Sequence, residues 1–303
     1  MRIKPFRLNM RTREAITGYL FFSPWLIGLI FFSAGPILYS LYLSFTSYNM
    51  HSAPKWIGTL NYRILFTEDP LFWQSLYNTL YYVVFSVPLT TAAGVLAAVL
   101  LNQKVKGLGI WRTIFYLPSV VSIVVVSLLW QWIFDPTFGL INTALAQIGI
   151  EGPGWLQDRH WSKPALVIMS LWGIGGGMII YLAGLQGISR DLYEASKVDG
   201  AGRVRQFFHI TIPMLTPTIF FNLIMGVLGA MQVFVQAYIM TGGGPVNSTM
   251  FYALYLYNKA FRDLQMGYAS AMAWVLLVIS LIFTLIIIRS SRSWVYYEGA
   301  EPR

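Results

Sequence analysis

The side chains in this sequence that could do chemistry are, with few exceptions, neutral. His51, His160 and His209 fall in separate loops without ligand spacing, so they read as structural or solvated residues rather than a metal site. There is no cysteine, which removes disulfides, thiolate metal sites and thiol nucleophiles together. No Gly-Lys pair occurs anywhere, so the GxxxxGK[ST] loop that cradles nucleotide phosphates is absent. The partial DGAGR at 199–203 follows a helical pattern, whereas a dinucleotide site would need a strand before it. What remains is a set of polar and aromatic residues inside apolar stretches. Ser170, Trp172, Gly173 and Gly175-Gly176-Gly177 lie in one stretch, Asn222, Gln232 and Gln236 in another, and Trp130 and Trp132 in a third. Neutral donors and acceptors beside aromatic faces are what a path for a hydroxyl-rich solute such as a sugar requires. The same glutamines could instead bridge helices, and the same glycines allow helices to pack closely.

A second candidate is charged. Residues 190–213 read RDLYEASKVDGAGRVRQFFHITIP and place seven charged residues between Arg190 and Arg205, in a chain that is only 11% charged. Asp191 with Glu194 has the spacing of a capping box, which predicts a short helix over 191–199 ending at Gly200 as a left-handed cap. A second helical stretch is predicted over 202–211, leading to Pro213, with both stretches lying on a membrane surface. Leu192, Ala195 and Val198 form a narrow apolar stripe on the first helix, leaving Glu194, Lys197 and Asp199 free to meet another surface.

The elements that must position these residues are membrane helices. The chain has 303 residues, 56% of them hydrophobic, and contains six windows of more than 20 residues without Asp, Glu, Lys or Arg. Crossing the hydrocarbon takes about 20 mainly apolar residues. The fold class expected is therefore an all-α membrane protein with six transmembrane helices, over 18–43, 79–101, 113–134, 165–187, 215–239 and 268–289. Segments 1–17 and 290–303 flank this 18–289 domain, and 188–214 is its largest loop. With the N-terminus inside, 15 of the 21 Lys and Arg face the cytoplasm while the acidic residues divide evenly, so the whole net charge of +9 lies inside. This positive-inside asymmetry puts both termini and the 188–214 loop in the cytoplasm. The first span reads as uncleaved, since its apolar run is too long for a signal peptide and lacks a small-residue cleavage site. The net charge does not indicate nucleic acid, because no soluble domain gathers it. Asp and Glu are missing from all six span interiors, which counts against an ion-driven carrier, although sodium can be held by carbonyls and hydroxyls.

The spacing Glu194-Ala195-Ser196, three residues, Gly200, nine residues, Ile210-Thr211-Ile212-Pro213 resembles the EAA loop of bacterial ABC import permeases, EAA-x3-G-x9-I-x-L-P. Ser196 stands in place of the second Ala and Ile212 in place of Leu. The resemblance extends to WIGTLNY at 56–62, FWQSLYNTL at 72–80, LPS in span three, FDPTFGLIN at 134–142 and MTGGGPVNST at 240–249. Their order is similar to that of the sugar-specific branch, the larger partner of a maltose-type permease pair. The resemblance implies the type I ABC importer permease fold, in a multi-pass protein of the bacterial plasma (inner) membrane. It implies a coupling helix that docks in a cleft of the ATPase subunit, with Asp191, Glu194, Ala195, Ser196, Asp199 and Gly200 as the coupling residues. It places the substrate path on spans four and five, with Trp172, Gly173, Gly176, Gln232 and Gln236 as its residues. Implied partners are a second permease in a heterodimer, two cytoplasmic ATPase subunits, an extracytoplasmic solute-binding protein, the lipid bilayer and a sugar, foremost an oligosaccharide. The chain itself is expected to be no enzyme, with ATP and magnesium held by the partner ATPase. The alternative is a stand-alone secondary carrier for a neutral polar solute.

Overall fold

The computed structural model describes residues 9–103 and 106–296, so the outermost parts of the expected terminal segments, 1–8 and 297–303, lie outside the described residues. About three-quarters of the described residues are helical, and the strands among them are one antiparallel pair, β1 (Thr46–Ser47) and β2 (Lys55–Trp56). The chain divides into two compact units. One takes in the chain up to Ile64 together with Lys259–Trp274, and the other takes in Leu65–Asn258 and the chain from Val275 onward.

The first unit opens with α1 (Met10–Gly28), which passes through a π-helical turn at Leu29–Ala34 into α2 (Gly35–Ser44). Together they make a 35-residue apolar rod of which only 6% of the most hydrophobic window is buried. A helix apolar on every side belongs in lipid or against another membrane helix. Its last carbonyls are met by the WIGTLNY motif. Asn61 donates through Nδ2 to Ser44 O at 2.8 Å and to Thr46 O at 2.9 Å, and Tyr62 donates its hydroxyl to Ser44 Oγ at 2.8 Å. Asn61 thus satisfies a carbonyl that the helix end leaves orphaned, and Tyr62 holds the Ser44 side chain beside it.

The second unit is built around α4 (Pro70–Leu101), capped by Asp69, whose Oδ1 accepts from the Leu71 and Phe72 N–H groups at 3.0 and 3.1 Å. Against α4 pack α8 (Ser162–Trp172), α9 (Gly175–Gln186) and α12 (Ile212–Met231). Val95, Ala98, Leu101, Met178, Tyr181, Leu185 and Leu215 form the core shared by α4, α9 and α12. The recurring motifs serve as fasteners here as well. Asn78 donates to the carbonyls of Asn247 and Met250 at 2.9 and 3.1 Å, and Thr79 accepts from the Tyr252 N–H at 2.9 Å, which seats the GGGPVNST loop on α4. Asn142 donates to Pro136 O and Pro153 O and accepts from Trp155 Nε1 at 2.7 Å, closing the FDPTFGLIN loop.

Three expectations need correction. The third apolar stretch is two helices, α5 (Leu108–Val120) and α6 (Ile123–Ile133), bent by 101° where Val121 and Ser122 are extended. Pro118 lacks the N–H that would continue the helical ladder, which weakens the helix just before this break. The fourth stretch bends by 47° between α8 and α9. The fifth apolar helix begins earlier than expected: α11 (Arg203–Gln206) runs through a π-helical turn at Phe207–Thr211 into α12, so 203–211 is continuous with that helix rather than a separate one. A π turn tolerates the missing donor of Pro213 by shifting the hydrogen-bond register. Among the described residues, four helices are long and apolar enough to cross a membrane singly, and the two bent pairs bring the number to six if each pair is one crossing.

Candidate coupling helix and translocation site

The charged segment forms α10 (Arg190–Val198), one residue earlier at its start than the sequence pattern suggested. Ser189, extended at φ −60° and ψ 137°, is its N-cap, and its Oγ accepts from the Asp191 N–H at 3.2 Å. Asp191 therefore lies inside the first turn, where a carboxylate still favours the helix dipole. Glu194 lies too far along to reach back to the cap, so no capping box forms. The other end is as expected. Gly200 has φ +77°, Ala201 N donates to Ser196 O at 2.9 Å and Gly200 N donates to Lys197 O at 3.0 Å. These two bonds make a Schellman cap, which needs a left-handed residue at the position of Gly200.

No residue of α10 is fully buried, yet its two faces differ. Leu192, Glu194, Ala195 and Asp199 are exposed, and Val198 is 89% exposed. The apolar stripe is thus displayed, not packed. On the opposite face the helix is tied down. Ser196 Oγ donates to Tyr193 O at 2.9 Å, Gln206 Nε2 donates to that same carbonyl at 3.2 Å and to Ser196 Oγ at 2.9 Å, and the Tyr193 and Thr211 hydroxyls pair at 2.9 Å. Gln206 is buried, and Tyr193 packs with Ile210 and Ile212 against the core of α4, α9 and α12. Ser196 therefore faces inward, apart from Asp191, Glu194, Ala195 and Asp199. Sequence reasoning missed Tyr193, Gln206 and Thr211. The available signal was the Tyr193–Ser196 spacing of three, which puts two hydrogen-bonding side chains on the face away from Glu194 and Asp199.

The second candidate site is a pair of cavities between α4, α6, α8, α12 and α13 (Val235–Met240). One, of ≈ 330 Å³, is lined by Tyr82, Ser119, Ser170, Trp172, Gly173 and Gln236, among others. Its neighbour, of ≈ 350 Å³, shares Tyr82, Ile123, Ser170 and Gln236 and adds Ser86, Thr90 and Gln232. The helix breaks build them. Gln232 ends α12, and the chain leaves the helix before restarting α13, which brings Gln236 in from a new direction. Gly173 sits at the bend between α8 and α9. Trp130 stands edge-on to Trp172 with centroids 6.2 Å apart, and its Nε1 is buried without a hydrogen-bond partner among the described residues.

Of the path residues expected from sequence, Trp172, Gly173, Gln232 and Gln236 line these cavities, and Gly176 does not. The adjacent Gly175 serves packing, since a Cβ there would run into the Phe115 carbonyl of α5. Ser170, a polar residue already visible in the fourth apolar stretch, lines both cavities, while Tyr82 and Ser86 were not anticipated. Tyr82 and Ser86 are four apart on α4, a polar pair inside an otherwise apolar helix.

Residues 90–293 match the family described as binding-protein-dependent transport system inner membrane component. The chain belongs to this family. Among its relatives is a probable ABC transporter permease protein, YesP, of Bacillus subtilis (strain 168), 46% identical over 95% of this chain and 94% of the relative. The lactose transport system permease protein LacF of Rhizobium radiobacter is 40% identical over 90% of this chain and 93% of its own length. A similar structure is that of a bacterial alginate ABC transporter in complex with an alginate pentasaccharide-bound periplasmic protein. Its matching chain is 25% identical with a TM-score of 0.79, over 92% of this chain and 95% of that one. The permease is accordingly an inner-membrane component of an ABC transporter, which sets aside the stand-alone carrier.

Proposed function

We propose that this permease crosses the membrane six times with both termini in the cytoplasm, pairs with a second permease, and passes an oligosaccharide delivered by an extracytoplasmic binding protein. In this reading α10 seats in cytoplasmic ATPase subunits, with Asp191, Glu194, Ala195 and Asp199 at the contact and Gly200 holding the helix end. The carrying observation is the asymmetry of α10, whose inner face is hydrogen-bonded to the helix bundle while its apolar stripe and carboxylates face outward. A helix fixed on one side and open on the other is suited to transmit a push as a rigid body. The sugar reading is supported by the neutral polar and aromatic lining of the two cavities and by relatives named for lactose and alginate.

Orientation is tested with single cysteines, since the native chain has none. Cysteine at the exposed Gln157 should react with an impermeant maleimide added outside whole cells, and cysteine at the exposed Val198 only after the inner face is opened. Outside labelling at residue 198 would overturn the topology.

The path is tested at Gln236, which both cavities share. Gln236→Leu should lower sugar uptake while basal ATP hydrolysis and the yield of assembled complex hold. If Gln236 merely bridges helices, the yield should fall instead, by the roughly 0.6 kcal/mol typical of such bonds in membranes. Unchanged uptake would remove Gln236 from the path.

A further inference from the structure

Between α5 and α9, at the end of the bundle that carries α10, runs a third cavity of ≈ 570 Å³. Its walls are mostly apolar: Tyr116, Leu117, Val120, Ile179, Leu182 and Ala183. Its polar groups gather at one end, where Arg112 and Thr113 open α5 and Gln186 closes α9. Arg112 is half-buried, and its Nη2 donates to Leu101 O at 3.2 Å, the last carbonyl of α4. Its Nε is buried without an acceptor, and no carboxylate among the described residues lies within ion-pair distance of it. One helix-end carbonyl therefore meets a guanidinium with five donors and a full charge.

We propose that this groove holds an anionic phospholipid of the inner leaflet, its phosphate against Arg112 and Gln186 and an acyl chain along α5 and α9. Three observations converge on that occupant. The cation is uncompensated, and a phosphate accepts from a guanidinium with the best geometry available to a singly used Arg. The trough from Arg112 to Val120 follows α5 for about 12 Å at 1.5 Å per residue, close to the roughly 15 Å depth of one hydrocarbon leaflet. The outer rim, with Ile114, Leu117 and Val120, is exposed and apolar, as a lipid-facing edge should be. A second protein covering the groove would have to bring its own carboxylate to Arg112, whereas the headgroup region of an anionic leaflet already supplies an anion at that level. The inner-leaflet placement rests on the topology proposed above.

The test uses the whole transporter, purified and measured in phosphatidylcholine vesicles with and without phosphatidylglycerol, and by native mass spectrometry of retained lipid. Arg112→Gln should reduce phosphatidylglycerol retention about fivefold, the change equivalent to ~1 kcal/mol for one basic residue at an anionic surface. Ala183→Trp, which fills the exposed side of the trough and leaves Arg112 in place, should do the same and keeps the test available if the first variant assembles poorly. In both, stimulation of ATP hydrolysis by phosphatidylglycerol should fall with retention. Retention at the wild-type level in Ala183→Trp would overturn the proposal. So would loss of the second permease from Arg112→Gln with lipid retention unchanged, which would make the groove a protein interface.

Discussion

Gly200→Val is expected to leave the permease inserted and paired yet to abolish substrate-stimulated ATP hydrolysis and weaken co-purification of the ATPase. Gly200 sits at φ +77° with nothing within 4 Å of where a Cβ would be, so space is not the constraint. Backbone conformation is. A left-handed residue with a side chain costs roughly 1–2 kcal/mol, and β-branching makes that region still less accessible. The cheapest escape is to unwind the cap, losing the Ala201-to-Ser196 and Gly200-to-Lys197 hydrogen bonds together. A helix of nine residues has no length in reserve, because isolated helices shorter than about 12–15 residues are marginal. Fraying would disperse Val198 and Asp199, two of its exposed residues. Gly200→Asn supplies the control: asparagine tolerates the left-handed region, so coupling should be largely retained. Equal loss in Asn and Val variants would show that the cap conformation is not what matters. Wild-type hydrolysis in the Val variant, together with Glu194→Lys, would reduce the segment to a charged connector.

Gln206→Leu should have the second largest effect, and of a different kind. Leucine fills similar space at this buried position but gives up the donor to Tyr193 O and Ser196 Oγ. Losing two hydrogen bonds at about 0.5–1.5 kcal/mol each would loosen α10 from the start of span five by roughly 1–3 kcal/mol. The ATPase should still bind, because the outward face is untouched. What should fall is the transmission of substrate binding into hydrolysis, by about tenfold for each 1.4 kcal/mol lost. Ser196→Ala alone should do less, since Gln206 keeps its bond to the Tyr193 carbonyl. Combined, the two substitutions should be non-additive, as expected for bonded partners. Additive effects on coupling, or ATPase release by Gln206→Leu, would mean that the brace is not the link between α10 and the bundle.

Much of this protein was legible before any coordinates. Long charge-free stretches marked where helices had to cross, because a backbone in lipid must satisfy its own hydrogen bonds. Gly200 was readable as a cap because the chemistry of a left-handed residue is local. The recurring motifs were readable as motifs, but not as fasteners. That Asn61 closes the end of α2, that Asn78 seats a loop from 169 residues away, and that Asn142 ties three segments together depend on pairings no local pattern encodes.

The sequence by itself determined where the long apolar helical stretches lie, the position of the charged segment and the candidacy of Trp172, Gln232 and Gln236, all of which follow from hydropathy and side-chain type along the chain. Only the tertiary structure decided that Ser189, not Asp191, begins α10. A cap depends on which residue the preceding chain leaves extended. It also decided that spans three and four bend, that Tyr82, Ser86 and Ser170 share cavities with the glutamines, and that Tyr193, Gln206 and Thr211 brace α10 from below. Hydropathy cannot supply these, because an apolar residue scores alike whether it faces lipid, a neighbouring helix or a cavity. Which of the three it faces is set by how helices pack, through contacts such as Gly175 against the Phe115 carbonyl.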